Sequence, residues 1–456
     1  MKPTIPKGTR DFLPHQVYKR NYIFDTIRSV FTKYGYQPIE TPTMESLSTL
    51  TGKYGEEGDK LLFKVLNNGD FLSKASLDAL AQKDSNAVLP QLSKRGLRYD
   101  LTVPFARYVV MHQNDIQFPF KRYHIQPVWR ADRPQKGRYQ EFYQCDVDVV
   151  GSGSLMYEAE LVNIYDEVFA KLNLSVIIKV NNRKVLYGIA EANGLADKFM
   201  DMTMALDKLD KIGEEKVVAE MMNRGIAKEQ AESVIGLLAI KTLPDLKTAF
   251  SNAPTGLKGI EELETFHKYL DLNETTNKVE FDISLARGLS YYTGCIFEVV
   301  ADTTVYPNLK MGSVGGGGRY DDLTGIFGLK NVSGVGISFG AERIYDVMEE
   351  ENLFPQGVEK DLEVLLMALD GDSHIHAFDM LVQLRSGGVT SDLYPEAAKL
   401  KKQMKYANAR NVPFVIIIGD QEVNDKIYNL KNMETGDQQK LDLQGLIHFL
   451  KIKISK

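Results

Sequence analysis

Arg130-Ala-Asp-Arg-Pro-Gln-Lys-Gly-Arg-Tyr-Gln-Glu-Phe142 is the stretch on which the reading of this chain turns. It sets Arg130, Arg133, Lys136 and Arg138 against one early acid, Asp132, and it contains two turn formers. Pro134 presets φ and Gly137 tolerates φ > 0. Upstream, Tyr123, Ile125 and Trp129 alternate with Arg122, His124, Gln126 and Arg130. Downstream, Arg138, Gln140, Phe142, Gln144, Asp146 and Asp148 share one parity, and Tyr139, Tyr143, Val147 and Val149 hold the other. Residues of one parity project from one face of a strand. The pattern predicts a β-hairpin with a cationic loop. Most polar strand faces are merely solvated. A phenylalanine among arginines points instead to a cleft that stacks something planar beside something anionic.

The rest of the chain bounds what that cleft belongs to. At 456 residues the length suggests about three domains. With 43% hydrophobic and 25% charged residues the composition is that of a globular protein. A net charge of -6 argues against general polyanion binding, though a local basic patch is compatible with nucleic acid. Cys145 and Cys295 stand far apart without ligand-type spacing, so neither a disulfide framework nor a zinc site is expected. The first residues, Met1-Lys-Pro-Thr-Ile-Pro-Lys-Gly, lack the apolar core of a signal peptide. No run reaches the roughly 18 apolar residues that span a bilayer. The expectation is a soluble, cytoplasmic protein with no membrane partner and no resident metal.

Working outward, residues 15–35 carry helical spacing, and Tyr36-Gln-Pro-Ile-Glu-Thr-Pro-Thr43 reads as an extended edge segment, because each proline removes a ladder donor. Strands are expected at 97–103 and across 121–149, and a helix over 154–171. From 185 to 275 Glu, Lys, Ala, Leu and Met dominate, the texture of a helical insertion. Strands resume at 278–285 and 295–301, and Val335-Gly-Ile-Ser-Phe339 leads into a helix from Ala341. Asn352-Leu-Phe-Pro-Gln-Gly357 reads as a linker. Strands at 362–369, 389–393 and 412–418 then alternate with helices at 375–386 and 396–410, which favours a largely parallel sheet.

Four further segments carry chemistry. Arg98-Tyr-Asp-Leu-Thr-Val-Pro-Phe105 sets Asp100 and Thr102 on one expected strand face, where a carboxylate and a hydroxyl grip an ammonium group. Leu285-Ala-Arg-Gly-Leu-Ser-Tyr-Tyr-Thr-Gly294 packs Arg287, Tyr291 and Tyr292 between glycines that allow close approach. Gly315-Gly-Gly-Gly318 lacks the Lys-Ser/Thr of a phosphate loop, so its glycines let the backbone run close to a ligand or another strand. Gly334-Val-Gly-Ile-Ser-Phe-Gly-Ala-Glu-Arg343 leaves Arg343 near a helix N-terminus, a natural place for an anion. On the expected helix 396–410, Leu400, Met404 and Ala407 form a stripe among four lysines, a face usually just solvated.

Together these segments resemble the histidine–tRNA ligase family of class II aminoacyl-tRNA synthetases. Pro42 sits where the class has its motif 1 proline, Val128 through Phe142 match motif 2, and Gly334 to Arg343 match motif 3. Leu285 to Gly294 looks like the family's own histidine-site motif. The resemblance implies an α+β catalytic domain over 1–184 and 277–350, with a mostly antiparallel sheet flanked by helices. A helical insertion would occupy 185–276, a linker 351–358, and an α/β anticodon-binding domain 359–456.

It implies catalytic roles for Arg130 and Arg287 at the α-phosphate. Asp132, Arg138, Phe142 and Arg343 would join Arg130 in holding ATP, with Asp132 near the amino group or a metal. Asp100, Thr102 and Gln144 would take the ammonium of L-histidine. Asp148 and Tyr292 would read its imidazole, with Tyr291 lining the pocket. Arg133, Gln135 and Lys136 would meet the acceptor end of the histidine tRNA. Mg2+ would accompany ATP, and the chain would act as a homodimer. The alternative is a synthetase-like regulatory subunit of histidine biosynthesis; retained Arg287 and nearly a hundred residues after the linker favour the ligase.

Overall fold

The computed structural model of the chain describes residues 2–52, 55–286, 291–359 and 362–454. It divides into two compact units, Met1–Phe12 with Lys19–Phe354, and Leu13–Tyr18 with Pro355–Lys456.

The first unit opens with a two-residue strand, β1 (Gln37–Pro38). A small antiparallel sheet follows, made of β2 (Met44–Ser46), β3 (Lys64–Val65) and β4 (Arg95–Leu97). The large sheet takes in β5 (Phe120–Trp129), β6 (Glu141–Val150), β7 (Val176–Asn182), β8 (Lys278–Phe281), β9 (Cys295–Ala301), β10 (Gly315–Tyr320) and β11 (Gly334–Gly340). Among the described residues its order is β1-β5-β6-β11-β10-β9-β7-β8. Every neighbouring pair is antiparallel except β1–β5 and β7–β8. The proline-bearing segment lies at the edge, where its missing donor costs no ladder bond.

Strand alternation sorts the two faces. On one, Cys145, Val147 and Val149 of β6 and Ile337 and Phe339 of β11 are buried against two helices, α1 (Pro14–Lys33) and a later one over Met156–Lys171. Phe339 is the hub of that face. Its ring lies 5.8 Å from Phe31, 5.5 Å from Phe169 and 4.7 Å from Tyr165. Burying one such ring contributes about 1.5–3 kcal/mol. The opposite face carries Gln144, Asp146 and Asp148, and it is not a solvated polar face: both aspartates are 2% exposed. A face that is polar and buried needs partners or a ligand.

Part of the covering is α2 (Thr102–Met111), and here the structure corrects the sequence reading. The strand expected at 97–103 ends at Leu97, so Asp100 and Thr102 share a strand-to-helix turn and not a strand face. Pro104 is tolerated in the first helical turn, where its missing N–H would have no intrahelical partner. Asp100 Oδ1 accepts the Val103 N–H at 3.1 Å and so helps start the helix.

The glycine cluster does run close to another strand, as expected, because Gly315–Gly318 are themselves part of an internal strand. A Cβ on Gly317 would sit 2.2 Å from the Gly336 carbonyl oxygen, and one on Gly318 would sit 2.9 Å from the Tyr292 ring. The cluster therefore lets both a neighbouring strand and an aromatic side chain come close.

With the Met156–Lys171 helix as α3, the helices from α4 (Arg183–Ala192) to α5 (Pro254–Leu270) account for the lysine- and glutamate-rich stretch. Its Met202, Val217, Met221, Val234 and Phe250 belong to the same hydrophobic core as the sheet. The first and last of these helices meet at glycines, where a Cβ on Gly188 would lie 2.4 Å from Gly256 Cα. After β11 the unit closes with α6 (Ala341–Glu350).

The second unit holds β12 (Val364–Ala368), α7 (Gly371–Ser386), β13 (Ser391–Leu393), α8 (Leu400–Ala409), β14 (Phe414–Ile418), β15 (Tyr428–Asn432) and β16 (Gln438–Leu441). Its sheet order is β13-β12-β14-β15-β16. The first three strands are parallel, as the βα alternation predicts, and β15 and β16 add an antiparallel hairpin. The expected apolar stripe of α8 is also revised. Leu400 is exposed, while Gln403 is fully buried and donates from Nε2 to the carbonyls of Ala368 and Ala398, each at 2.7 Å.

Candidate active site

The β5–β6 hairpin, β10, β11 and the start of α6 enclose a cleft of about 530 Å³. Arg130, Asp132, Arg138, Phe142, Gln144 and Arg343 all line it, so six of the residues expected to bind substrates converge. At its outer end the cations are largely unspent. The Arg130 guanidinium lies 4.3 Å from the Tyr99 ring centroid and 5.2 Å from that of Phe142, and Nε donates to the Tyr99 carbonyl at 3.0 Å. Arg138 is exposed, its nearest acid being Asp132 at 3.9 Å.

Arg343 is held more tightly. It donates to the carbonyls of Gly137 at 2.8 Å and Ser313 at 2.6 Å, which fixes its plane over the cleft. Desolvation, then Arg138 and Arg130, pull its pKa down. An anion entering the cleft relieves that repulsion. Glu342, also at the cleft wall, is taken up by Arg10, Arg20 and the Tyr143 N–H, which makes it a brace for the hairpin. The loop tip stays open: Arg133, Gln135 and Lys136 are exposed, and Lys136 reaches Glu350 at 2.7 Å.

Further in, charge is buried. Strand register aligns three pairs across β5 and β6: Arg122 with Asp148, His124 with Asp146, and Gln126 with Gln144. Arg122, fully buried, pairs with Asp148 at 2.7 Å and stacks 3.9 Å from the Phe105 centroid. Tyr320 donates its hydroxyl to the other Asp148 oxygen at 2.7 Å. His124 Nε2 meets Gln126 Oε1, which also accepts from Arg98 at 2.7 Å and from the Thr41 N–H. That arrangement assigns the His124 proton to Nε2 and leaves Nδ1 without a hydrogen-bond partner among the described residues.

Burial, and then Arg122, bring the His124 pKa down to about 3, so it is neutral. Burial also pushes Asp146 up to about 7; Arg122 opposes that rise and Asp148 adds to it. The same burial raises Asp148 and Tyr292. Gln144 gives its amide N–H to Ser338 Oγ at 3.1 Å, and its Oε1 has no hydrogen-bond partner among the described residues.

Asp100, Asp148, Tyr291 and Tyr292 gather in one cluster that does not itself line the cleft: the Tyr291 and Tyr292 rings lie 5.0 Å apart, and Asp148 and Asp100 both act on Tyr292. Thr102 opens α2 and does not line the cleft. Arg287 lies outside the described residues. Sequence reasoning gave no role to Tyr99, Arg122, Tyr320 or Ser338. The signal for Arg122 was present, since it shares the polar parity of β5 with His124 and Gln126; its partner was not, because register is a tertiary property.

The arrangement supplies cations for a polyanion, a ring for a planar base and, beside them, a cluster of buried polar groups. No group of three or more His, Cys, Asp or Glu residues among the described ones is placed to hold a metal alone. A Mg2+ ion carried on substrate phosphates would need only one or two protein carboxylates, and Asp132 at the cleft wall is a group of that kind.

Known proteins are similar to this chain along nearly its whole length. A family model described as histidyl-tRNA synthetase matches residues 8–344, and one described as anticodon binding domain matches residues 363–453. A histidine–tRNA ligase of Christiangramia forsetii is 55% identical over 457 residues, covering 99% of both chains. Another, of Porphyromonas gingivalis, is 54% identical and covers 96% of this chain and 97% of its own. A histidyl-tRNA synthetase crystal structure from Nostoc sp. PCC 7120 superposes with a TM-score of 0.83 at 29% identity, covering 99% of this chain and all of that one.

Proposed function

The chain belongs to the histidyl-tRNA synthetase family, and from that membership and the two-part cleft we propose that it ligates L-histidine to its tRNA through a histidyl-adenylate. The observation that carries the reading is that an arginine-lined cleft and a cluster of buried carboxylates share one face of the β5–β6 hairpin, with Gln144 at the cleft and Asp146 and Asp148 following it on the same parity. ATP lies in the outer part, its base against Phe142 and Arg343 and its phosphates near Arg130 and Arg138. Histidine occupies the inner part, with its ammonium toward Asp100 and Gln144 and its imidazole toward Asp148 and Tyr292.

The histidine carboxylate then attacks the α-phosphorus, and diphosphate leaves. The attack needs no protein nucleophile, so positioning and cationic stabilisation carry the rate. Arg130 spans both reactants from its seat on Tyr99, and Arg287 adds a second cation at the α-phosphate. Mg2+ bound with ATP would neutralise charge on the outer phosphates, with Asp132 as its protein ligand. In the second step a terminal hydroxyl of the tRNA attacks the carbonyl of the adenylate and AMP departs. The tip residues Arg133, Gln135 and Lys136 hold the acceptor end, and the segment matched by the anticodon-binding model holds the other end of the tRNA.

The regulatory-subunit alternative has less support, because the relatives above are named histidine–tRNA ligases over their full length and the anticodon-binding segment is retained. The reading also takes the chain as a cytoplasmic homodimer with Pro42 at the interface. ATP–diphosphate exchange measured with each of the twenty amino acids tests the assignment. Exchange is expected with histidine; its absence, or equal exchange with another amino acid, overturns the reading.

A further inference from the structure

The reading above gives Asp148 to the imidazole but leaves Arg122 without a role. Arg122 is a costly residue in that place. It is wholly buried, and Nε and Nη1 have no hydrogen-bond partner among the described residues. Among the described residues its ion pair goes to Asp148 at 2.7 Å, and its guanidinium is clamped against Phe105 of α2. Asp148 is equally constrained. Tyr320 donates to Oδ1, and the carboxylate lies so close to β11 that a Cβ on Gly336 would fall 1.9 Å from that oxygen. Arg122, Tyr320 and Gly336 thus hold one carboxylate from three strands.

We propose that Arg122 is a positioning residue for substrate selection: it holds the Asp148 carboxylate, ionised and oriented, as the acceptor for an imidazole N–H. The inference rests on the synthetase reading and adds a residue to it. The charged and titratable groups around Asp148 explain why such a residue is needed. Asp146 lies on the same strand face, Asp100 approaches from the turn before α2, Tyr320 from β10, Tyr292 from the segment before β9, and neutral His124 from β5. Three buried carboxylates repel one another, and among the described groups of this pocket Arg122 opposes them. Without it Asp148 takes up a proton and presents an O–H where the imidazole also presents an N–H. Two donors then face each other, and the selectivity that depends on paired polar groups is lost.

Histidine-dependent diphosphate exchange on the full chain tests this with Arg122→Met and Arg122→Lys. In Arg122→Met the KM for histidine is expected to rise by about tenfold or more, while the KM for ATP stays within about twofold. The rising limb of kcat/KM for histidine against pH should move to higher pH, because the unpaired carboxylate ionises later. Arg122→Lys, which keeps the charge, should bring the limb back toward the wild-type position. If Arg122→Met does not fold, Arg122→Gln, which keeps a polar donor but not the charge, carries the same comparison against Arg122→Lys. A parallel rise in both KM values with an unmoved pH limb would make Arg122 a structural residue and overturn the proposal. Absence of histidine-dependent exchange in the wild type would instead overturn the synthetase reading.

Discussion

At the outer end of the cleft Arg130, Arg138 and Arg343 face open space, and their described hydrogen bonds go to backbone carbonyls. At the inner end Asp100, Asp146 and Asp148 are buried beside Arg122, with tyrosine rings close by. The outer cations leave their valence for a ligand, whereas the inner carboxylates crowd one another under burial, with Arg122 opposing them. The difference follows from what each half must do. A polyphosphate brings its own dense charge, so fixed forks that are not already neutralised bind it and stabilise charge developing in the transition state. A small amino acid must be told from its analogues, and buried groups discriminate because a wrong ligand leaves them unpaired.

That contrast can be broken from either side. The largest effect is expected from Arg130→Ala, which removes an outer cation that spans both substrates. Diphosphate exchange should fall about 10²–10³-fold. The melting midpoint should hardly move, because the described hydrogen bond of Arg130 goes to a single carbonyl. A matching loss of stability would mean that Arg130 is part of the scaffold. Next comes Gly336→Ala, which pushes a methyl group into the Asp148 carboxylate. It should destabilise the fold by about 1–3 kcal/mol and raise the KM for histidine while leaving that for ATP; equal shifts in both would erase the division of the cleft.

A smaller, pH-dependent effect is expected at Asp146. Its carboxyl titrates at about 7 in the folded protein against 3.8 ordinarily. A raised carboxyl pKa favours folding most when the group is protonated, so this contribution is lost as pH rises through that window. Asp146→Asn stays neutral throughout. Its melting midpoint relative to wild type should therefore climb between those two pH values and level off above about 7. A flat difference would remove Asp146 from the inner network. The smallest effect belongs to Lys136→Ala at the loop tip. Exchange with histidine should be unchanged, while the salt slope for tRNA binding falls by about one; an unaltered slope would take Lys136 off the tRNA path.

Much of this was readable in the chain. The alternation from Tyr123 to Val149 is the β5–β6 hairpin, and its parity places Phe142 and Gln144 on the cleft side. The proline-rich segment is an edge strand, and the helical texture after residue 185 is helical. What misled were short signals. Arg98 to Phe105 looked extended because Val and Thr favour strands, yet Asp100 and Pro104 suit a helix start better. The antiparallel hairpin of β15 and β16 escaped notice because its strands are mostly polar, with Tyr428 and Leu430 as the buried exceptions.

The sequence by itself determined the two periodicities, the turn at Pro134 and Gly137, and the supply of arginines, carboxylates and tyrosines. Those are local properties, written in φ preferences and in which side of a strand or helix each residue takes. Only the tertiary structure decided that Arg122 answers Asp148, that Tyr320 reaches the same carboxylate from another strand, and that Gly336 and Gly318 clear the room. These pairings depend on register between strands far apart in the chain. A one-residue slip would turn every one of these groups to the opposite face.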